Sequence, residues 1–252
     1  MSNKYTNSLI NEWHDTKRYF EHKQQPIPQS IKYRTGELDN VVDIQTDNKP
    51  IIEVCNSDTF DLAIDYVNQG YYPMVLNMAS AFKPGGGVAN GKSAQEEELF
   101  RRSNSHLTHL PEWYPLETDA VIYSPEITIC KNSRPNKYKY IKEVKVAMIA
   151  CAAIKCPKLI NQKYSVDDYA CTYAKIESLF KIGICHGHDS LVLGALGCGV
   201  YYNPPAEVAE IFSIMVDKYG KYFKKIGFAI LVVKSTDKIN LDTFDKIFKK
   251  LY

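Results

Sequence analysis

Apolar runs that pass repeatedly into helical patterns limit what this 252-residue chain can fold into more than any other feature. "PIIEVC" leads into "NSDTFDLAIDYVNQG", and "YPMVLNMAS" into a glycine-rich loop with a helix from about Ser93 or Ala94. "KEVKVAMIACAA" precedes a helical stretch over roughly 166–187, and "DSLVLGALGCG" enters a second glycine-rich loop before "AEVAEIFSIMVDKYG". "KKIGFAILVV" comes before a last helix over 240–252. Strands that are apolar without alternation are buried on both faces, so the order predicts an α/β fold with a largely parallel sheet covered by helices on each side. Punctuation agrees: Ser57 or Asp58 as N-cap and Gly70 past the end of the first such helix, then Pro204–Pro205 opening and Gly220 closing another. Ahead of this pattern, residues 1–24 read as a polar helix broken by Pro26 and Pro28, with a polar stretch to about Pro50. The expected division is an N-terminal extension, 1–48, packed on one domain, 49–252.

A net charge of +2 gives no global electrostatic case for nucleic acid or an anionic membrane. The basic tail "DKIFKKLY" reads as the solvated side of the final helix. Seven cysteines without a CxxC pair argue against zinc and for a reducing compartment. No metal or other cofactor is implied. With no signal-like start and no membrane-length apolar run, the expectation is a soluble intracellular protein, cytoplasmic or nuclear.

Within "AFKPGGGVANGKSAQEEELFRRS", the segment "GGVANGKS" fits the phosphate-cradling pattern G-x-x-x-x-G-K-[ST]. The context speaks against it. The following helix opens with Glu96, Glu97 and Glu98, which stabilise its dipole themselves and would repel a triphosphate, and no strand ends in an acidic Mg²⁺ ligand. Three glycines after a buried strand instead lie where open α/β sheets place their ligand crevice. Glu97–Arg101 and Glu98–Arg102 are expected as i,i+4 pairs, with one or two of the acids facing the crevice and another in solvent. If Glu96 and Glu97 both approach the crevice, repulsion and burial raise at least one pKa, which suits a general acid for a glycosidic bond. In "LGALGCGVYYNPP", Gly194, Gly197 and Gly199 lie between a strand and a helix, a setting for pyrophosphate, with Tyr201 and Tyr202 placed to stack on a base or ribose. Cys198 reads as loop packing.

With those residues in place, "VLNMASAFKPGGGVANGKSAQEEELFRRS" resembles the catalytic stretch of the microbial-type poly(ADP-ribose) glycohydrolases, GGG followed after seven residues by QEE. "HDSLVLGALGCGVYYNPPAEVAEIF" resembles the same family's diphosphate loop, and the similarity runs over about residues 50–235. The resemblance implies a macrodomain-like three-layer α/β/α fold with a mixed, largely parallel sheet, and hydrolysis of the ribose–ribose bond of poly(ADP-ribose) or of ADP-ribosylated proteins, with ADP-ribose as product. It implies Glu97 as catalytic acid, Glu96 on ribose hydroxyls, and Gly85, Gly86 and Gly87, with Gln95, at the terminal ribose. It further implies Gly197, Cys198, Gly199 and Val200 at the pyrophosphate, Tyr201 (where relatives often carry Phe) over the ligand, and Asn77 and Ser80 as further ribose contacts. Glu98 stands outside the motif as the solvent partner of Arg102. The competing readings are an ADP-ribose reader without catalysis, a hydrolase of protein-linked mono-ADP-ribose, and a P-loop NTPase dependent on Lys92.

Overall fold

The structure, a computed structural model, describes residues 3–23, 26–38 and 47–251. Seven strands form one sheet: β1 (Ile31–Arg34), β2 (Ile51–Cys55), β3 (Pro73–Met78), β4 (Ala120–Lys131), β5 (Tyr140–Cys151), β6 (Ser190–Leu193) and β7 (Lys225–Ala229). Their spatial order is β1-β4-β5-β3-β6-β7-β2. From β5 through β3, β6 and β7 to β2 every pairing is parallel, and the β1–β4 and β4–β5 pairings are antiparallel. The sheet is therefore mixed, largely parallel and layered between helices, as expected.

The helices are α1 (Asn3–Glu21), α2 (Thr59–Asn68), α3 (Gln95–Arg102), α4 (Val166–Cys185), α5 (Pro205–Tyr219) and α6 (Lys238–Leu251). Asp58 is the N-cap of α2, accepting from the Phe60 and Asp61 N–H groups, and Gly70 takes a positive φ just past its end. One face of the sheet packs Phe180, Ile211, Phe212 and Phe244 from α4, α5 and α6, and the other packs Phe60, Tyr66 and Leu99 from α2 and α3. Both faces are thus dry, which is why β6 and β7 are buried at every position.

The polar segments held surprises. β1 lies within the stretch read as irregular, and β4 carries Pro125, which cannot donate to a sheet ladder. The β4–β5 register shifts between Ser124 and Ile127, so the proline sits in an irregularity that leaves the strand intact on either side. Helix α1 lies against α3. Trp13 packs on Phe100 at 6.1 Å, the Arg101 Nε donates to the Leu9 carbonyl at 3.2 Å, and the Thr16 hydroxyl donates to the Arg101 carbonyl. Fully buried Lys131 of β4 is neutralised by Glu12 and Asp15 of the same helix. Among the described residues no helix is long and apolar enough to cross a membrane.

Candidate active site

At the carboxyl end of β3 the chain enters the glycine loop, and α3 returns Glu96 and Glu97 beneath it. Gly85 and Gly86 both have positive φ, 69° and 53°, the backbone state that a side chain opposes. A Cβ at Gly86 would stand 2.7 Å from Glu97 Oε1 and 2.9 Å from Glu96 Oε2, so this glycine fills the space between the two carboxyls. Glu96 accepts from the Ser80 N–H at 2.7 Å, the Gly85 N–H at 3.2 Å and the Asn77 amide at 3.4 Å. Glu97 accepts from the Gly87 N–H and the Ala94 N–H, each at 2.8 Å.

Both carboxyls are buried, Glu96 at 4% exposed and Glu97 at 8%. Burial, with the nearby Glu97 charge adding to it, pushes Glu96 up to about 8, against the pull of its hydrogen bonds from Ser80, Asn77 and Gly85. At neutral pH Glu96 therefore keeps its proton. The Asn77 Oδ1 is buried without a partner. The N–H groups that a P-loop would aim at phosphate are here turned inward, Gly87 to Glu97 and Val88, Asn90, Gly91 and Lys92 to carbonyls of the loop itself, and the Lys92 side chain is exposed.

Three expectations about α3 are corrected. Arg102 is fully buried and bonded to Asp58 and Asp61 of α2, not to Glu98. Glu98 is not in solvent: it pairs with Arg101 at 3.2 Å and accepts from the Tyr138 hydroxyl at 2.5 Å. Nor does Glu97 pair with Arg101, since both its oxygens are taken by the loop. The reason is depth: every residue from Glu96 to Arg102 is buried, and charges out of water need fixed partners, which helical spacing alone does not supply. Gln95 binds inward too, accepting from the Met78 N–H at 2.9 Å and donating to the Leu76 carbonyl at 2.7 Å and the Thr59 hydroxyl at 3.1 Å. It clamps the start of α3 to β3.

The second loop follows β6. Gly197 has φ of 74°, and a Cβ there would lie 2.4 Å from Asn203 Nδ2 and 2.5 Å from the Ala153 Cβ. Among the described residues, the N–H groups of Gly199, Val200 and Tyr201 donate to no protein acceptor, and Val200 is 71% exposed. Three such donors in one turn are left available to a ligand. Cys198 is packed, its Sγ 3.6 Å from the Leu196 carbonyl, and burial pushes its thiol up. Tyr201 lies against Ser80 and the Ala81 backbone, so it joins this loop to the glycine loop, and burial pushes its phenol up. Asn203 was not anticipated. Its amide donates to the Ile154, Gly197 and Tyr201 carbonyls and accepts from the Tyr164 hydroxyl at 2.7 Å, fixing the turn from inside. A polar residue immediately before Pro204–Pro205 was the one available signal. Among the described residues no group of three or more His, Cys, Asp or Glu side chains could hold a metal ion.

The architecture and the paired loops define a macrodomain-like ligand site, and comparison with known proteins places it more closely. The family model described as microbial-type PARG, catalytic domain, matches residues 6–132, half of the chain. The chain belongs to that family, the microbial-type poly(ADP-ribose) glycohydrolases. Among solved structures, the fold is similar to that of poly(ADP-ribose) glycohydrolase from Thermomonospora curvata, at TM-score 0.84 and 24% identity, covering 96% of this chain and 100% of that one. The same enzyme bound to the inhibitor ADP-HPD gives TM-score 0.81 at 24% identity, covering 95% and 99%. The Deinococcus radiodurans enzyme in complex with ADP-ribose gives 0.71 at 22%, covering 100% and 94%. No curated protein matches the chain.

Proposed function

We propose that the protein hydrolyses the ribose–ribose O-glycosidic bonds of poly(ADP-ribose), free or on modified proteins, and releases ADP-ribose. One observation carries the assignment of roles: two adjacent buried carboxyls, Glu96 and Glu97, held by the glycine loop, with Glu96 pushed up to about 8 by burial and by its neighbour. The free N–H groups of Gly199 to Tyr201 hold the diphosphate, and Tyr201 covers the ligand. Glu96 and the unpaired Asn77 carbonyl oxygen position ribose hydroxyls, with Ser80, Gly85, Gly86 and Gly87 forming the wall against the sugar.

In the first step the C1–O bond breaks and the Glu97 carboxyl passes its proton to the departing ribose oxygen, leaving an oxocarbenium-like centre beside the carboxyl pair. In the second, a water oxygen bonds to C1 while the Glu97 carboxylate takes its proton, which restores the acid. Gln95 acts at one remove, holding α3 in register with β3.

Purified protein and Glu97→Gln are to be incubated with poly(ADP-ribose), and ADP-ribose release followed by chromatography. The expected outcome is release by wild type and a fall of at least about 10³-fold in the variant, the scale of one general acid, with ADP-ribose binding retained. Binding without release by wild type overturns the reading in favour of a reader.

A further inference from the structure

Past Tyr201, the carboxyl end of β5 opens into a cleft of about 200 Å³ that none of the roles above uses. Phe82, Glu117, Ala153, Lys155 and Lys175 line it, with Tyr201 as the wall toward the active site. Lys175, on α4, is only 3% exposed, yet among the described residues its side-chain ammonium makes no hydrogen bond and no ion pair. The acid nearest in charge is Asp119, which is already bound by Arg34 at 2.8 Å. The Glu117 carboxylate is taken by Lys32 at 3.1 Å and Arg34 at 3.3 Å. The Lys175 stem is buried and its ammonium opens into the cleft with no carboxylate bonded to it, so its donors are available to an anion there. Beside it Phe82 is 63% exposed, with the Lys155 ammonium 5.3 Å from its ring centre, an aromatic face and a cation as a nucleotide needs them.

Position fixes which nucleotide. β3 stands between β6 and β5, so the diphosphate turn after β6 and the cleft after β5 flank the carboxyls on opposite sides. Tyr201 marks the boundary, lining the cleft while resting on Ser80, whose N–H holds Glu96. A polymer whose cleaved unit fills the β6 side must leave the carboxyls across this boundary. We infer that the cleft is a subsite for the ADP-ribose unit on the leaving side of the scissile bond, with Lys175 and Lys155 taking its diphosphate and Phe82 stacking on its adenine. The inference rests on the glycohydrolase reading. It makes the enzyme one that recognises two consecutive units of its polymer.

The test compares two substrates of the full-length protein: poly(ADP-ribose), and ADP-ribose carrying a neutral nitrophenyl group at C1 of the terminal ribose. Only the first has a phosphate on the leaving side. Lys175→Met, which keeps the packing of the stem, is expected to lower kcat/KM on the polymer by about tenfold or more, the worth of one charge-assisted contact, and to leave the nitrophenyl glycoside unchanged. Lys155→Ala, at an exposed position, is expected to fall about threefold in the same selective way, and it carries the test if Lys175→Met fails to fold. Equal losses on both substrates, or no loss on either, overturn the subsite alone. Wild type that cleaves neither substrate overturns the glycohydrolase reading and the subsite with it.

Discussion

Gly86 shows how one residue sets the chemistry. Its φ of 53° and its place between the two carboxyls leave room for hydrogen alone, so Gly86→Ala has to push Glu96 or Glu97 off the loop. The expected outcome is a loss of kcat of about a hundredfold or more, with a stability loss of only ~1–3 kcal/mol from the strained φ. Gly85→Ala meets Phe100 at 2.5 Å instead, so its loss appears mainly in the urea midpoint. If Gly86→Ala retains wild-type kcat, the loop does not position the acids. Glu96 supplies a pH signature. Its folded pKa of about 8 lies above the ordinary 4.5, so the folded state binds the extra proton between these values. Stability from this group is therefore present below pH 4.5 and is lost as pH rises through the window, at up to ~1.4 kcal/mol per pH unit. Glu96→Gln should remove that slope in urea unfolding between pH 5 and about 8. A slope that persists in the variant assigns the proton elsewhere. Wild-type turnover should likewise decline above pH about 8, where Glu96 loses its proton.

The elements divide by how locally they are specified. β3, β6 and β7 could be read because dry strands are written as unbroken apolar runs, and Asp58 and Gly70 because caps are local chemistry. β2 was read as a strand but not as what it is, an edge strand whose residues are half-buried or exposed because only β7 pairs with it. β1 could not: four residues, "IKYR", gain strand form only by pairing with β4, and β4 itself is interrupted by Pro125. In α3 the helix and its start were legible, but the partners were not. A helix wheel gives the direction of Arg102, but not that Asp58 and Asp61 of α2 wait there, 44 and 41 residues earlier. Arg102 therefore locks α3 to the helix before it. Arg102→Met leaves Asp58 half of a buried pair and is expected to cost about 3 kcal/mol in denaturant unfolding. A loss under about 1 kcal/mol would mean that the pair is dispensable and α3 is held by its apolar face alone.

Across the whole molecule, the proposed site belongs to neither face of the sheet. The glycine loop runs into α3 on the α2 side, while the turn after β6 runs into α5 on the other, and they meet at Tyr201. The Tyr201 carbonyl, accepting from the Cys156 N–H at 2.9 Å, ties the turn to the loop after β5 as well. A ligand that engages both loops joins the two layers and must stabilise the fold as a unit. At a hundred times its Kd, ADP-ribose should add ~2.7 kcal/mol, a Tm rise of roughly 5–10 °C for a chain of this size. Gly197→Ala, which crowds Asn203 and distorts the turn, should abolish that rise, whereas Lys92→Ala should preserve it because the exposed lysine takes no part. Scanning fluorimetry of the three proteins with ADP-ribose and with ATP–Mg²⁺ decides the matter. A rise with ATP that vanishes in Lys92→Ala, and survives in Gly197→Ala, would return the loop to the NTP-binding pattern that its letters spell.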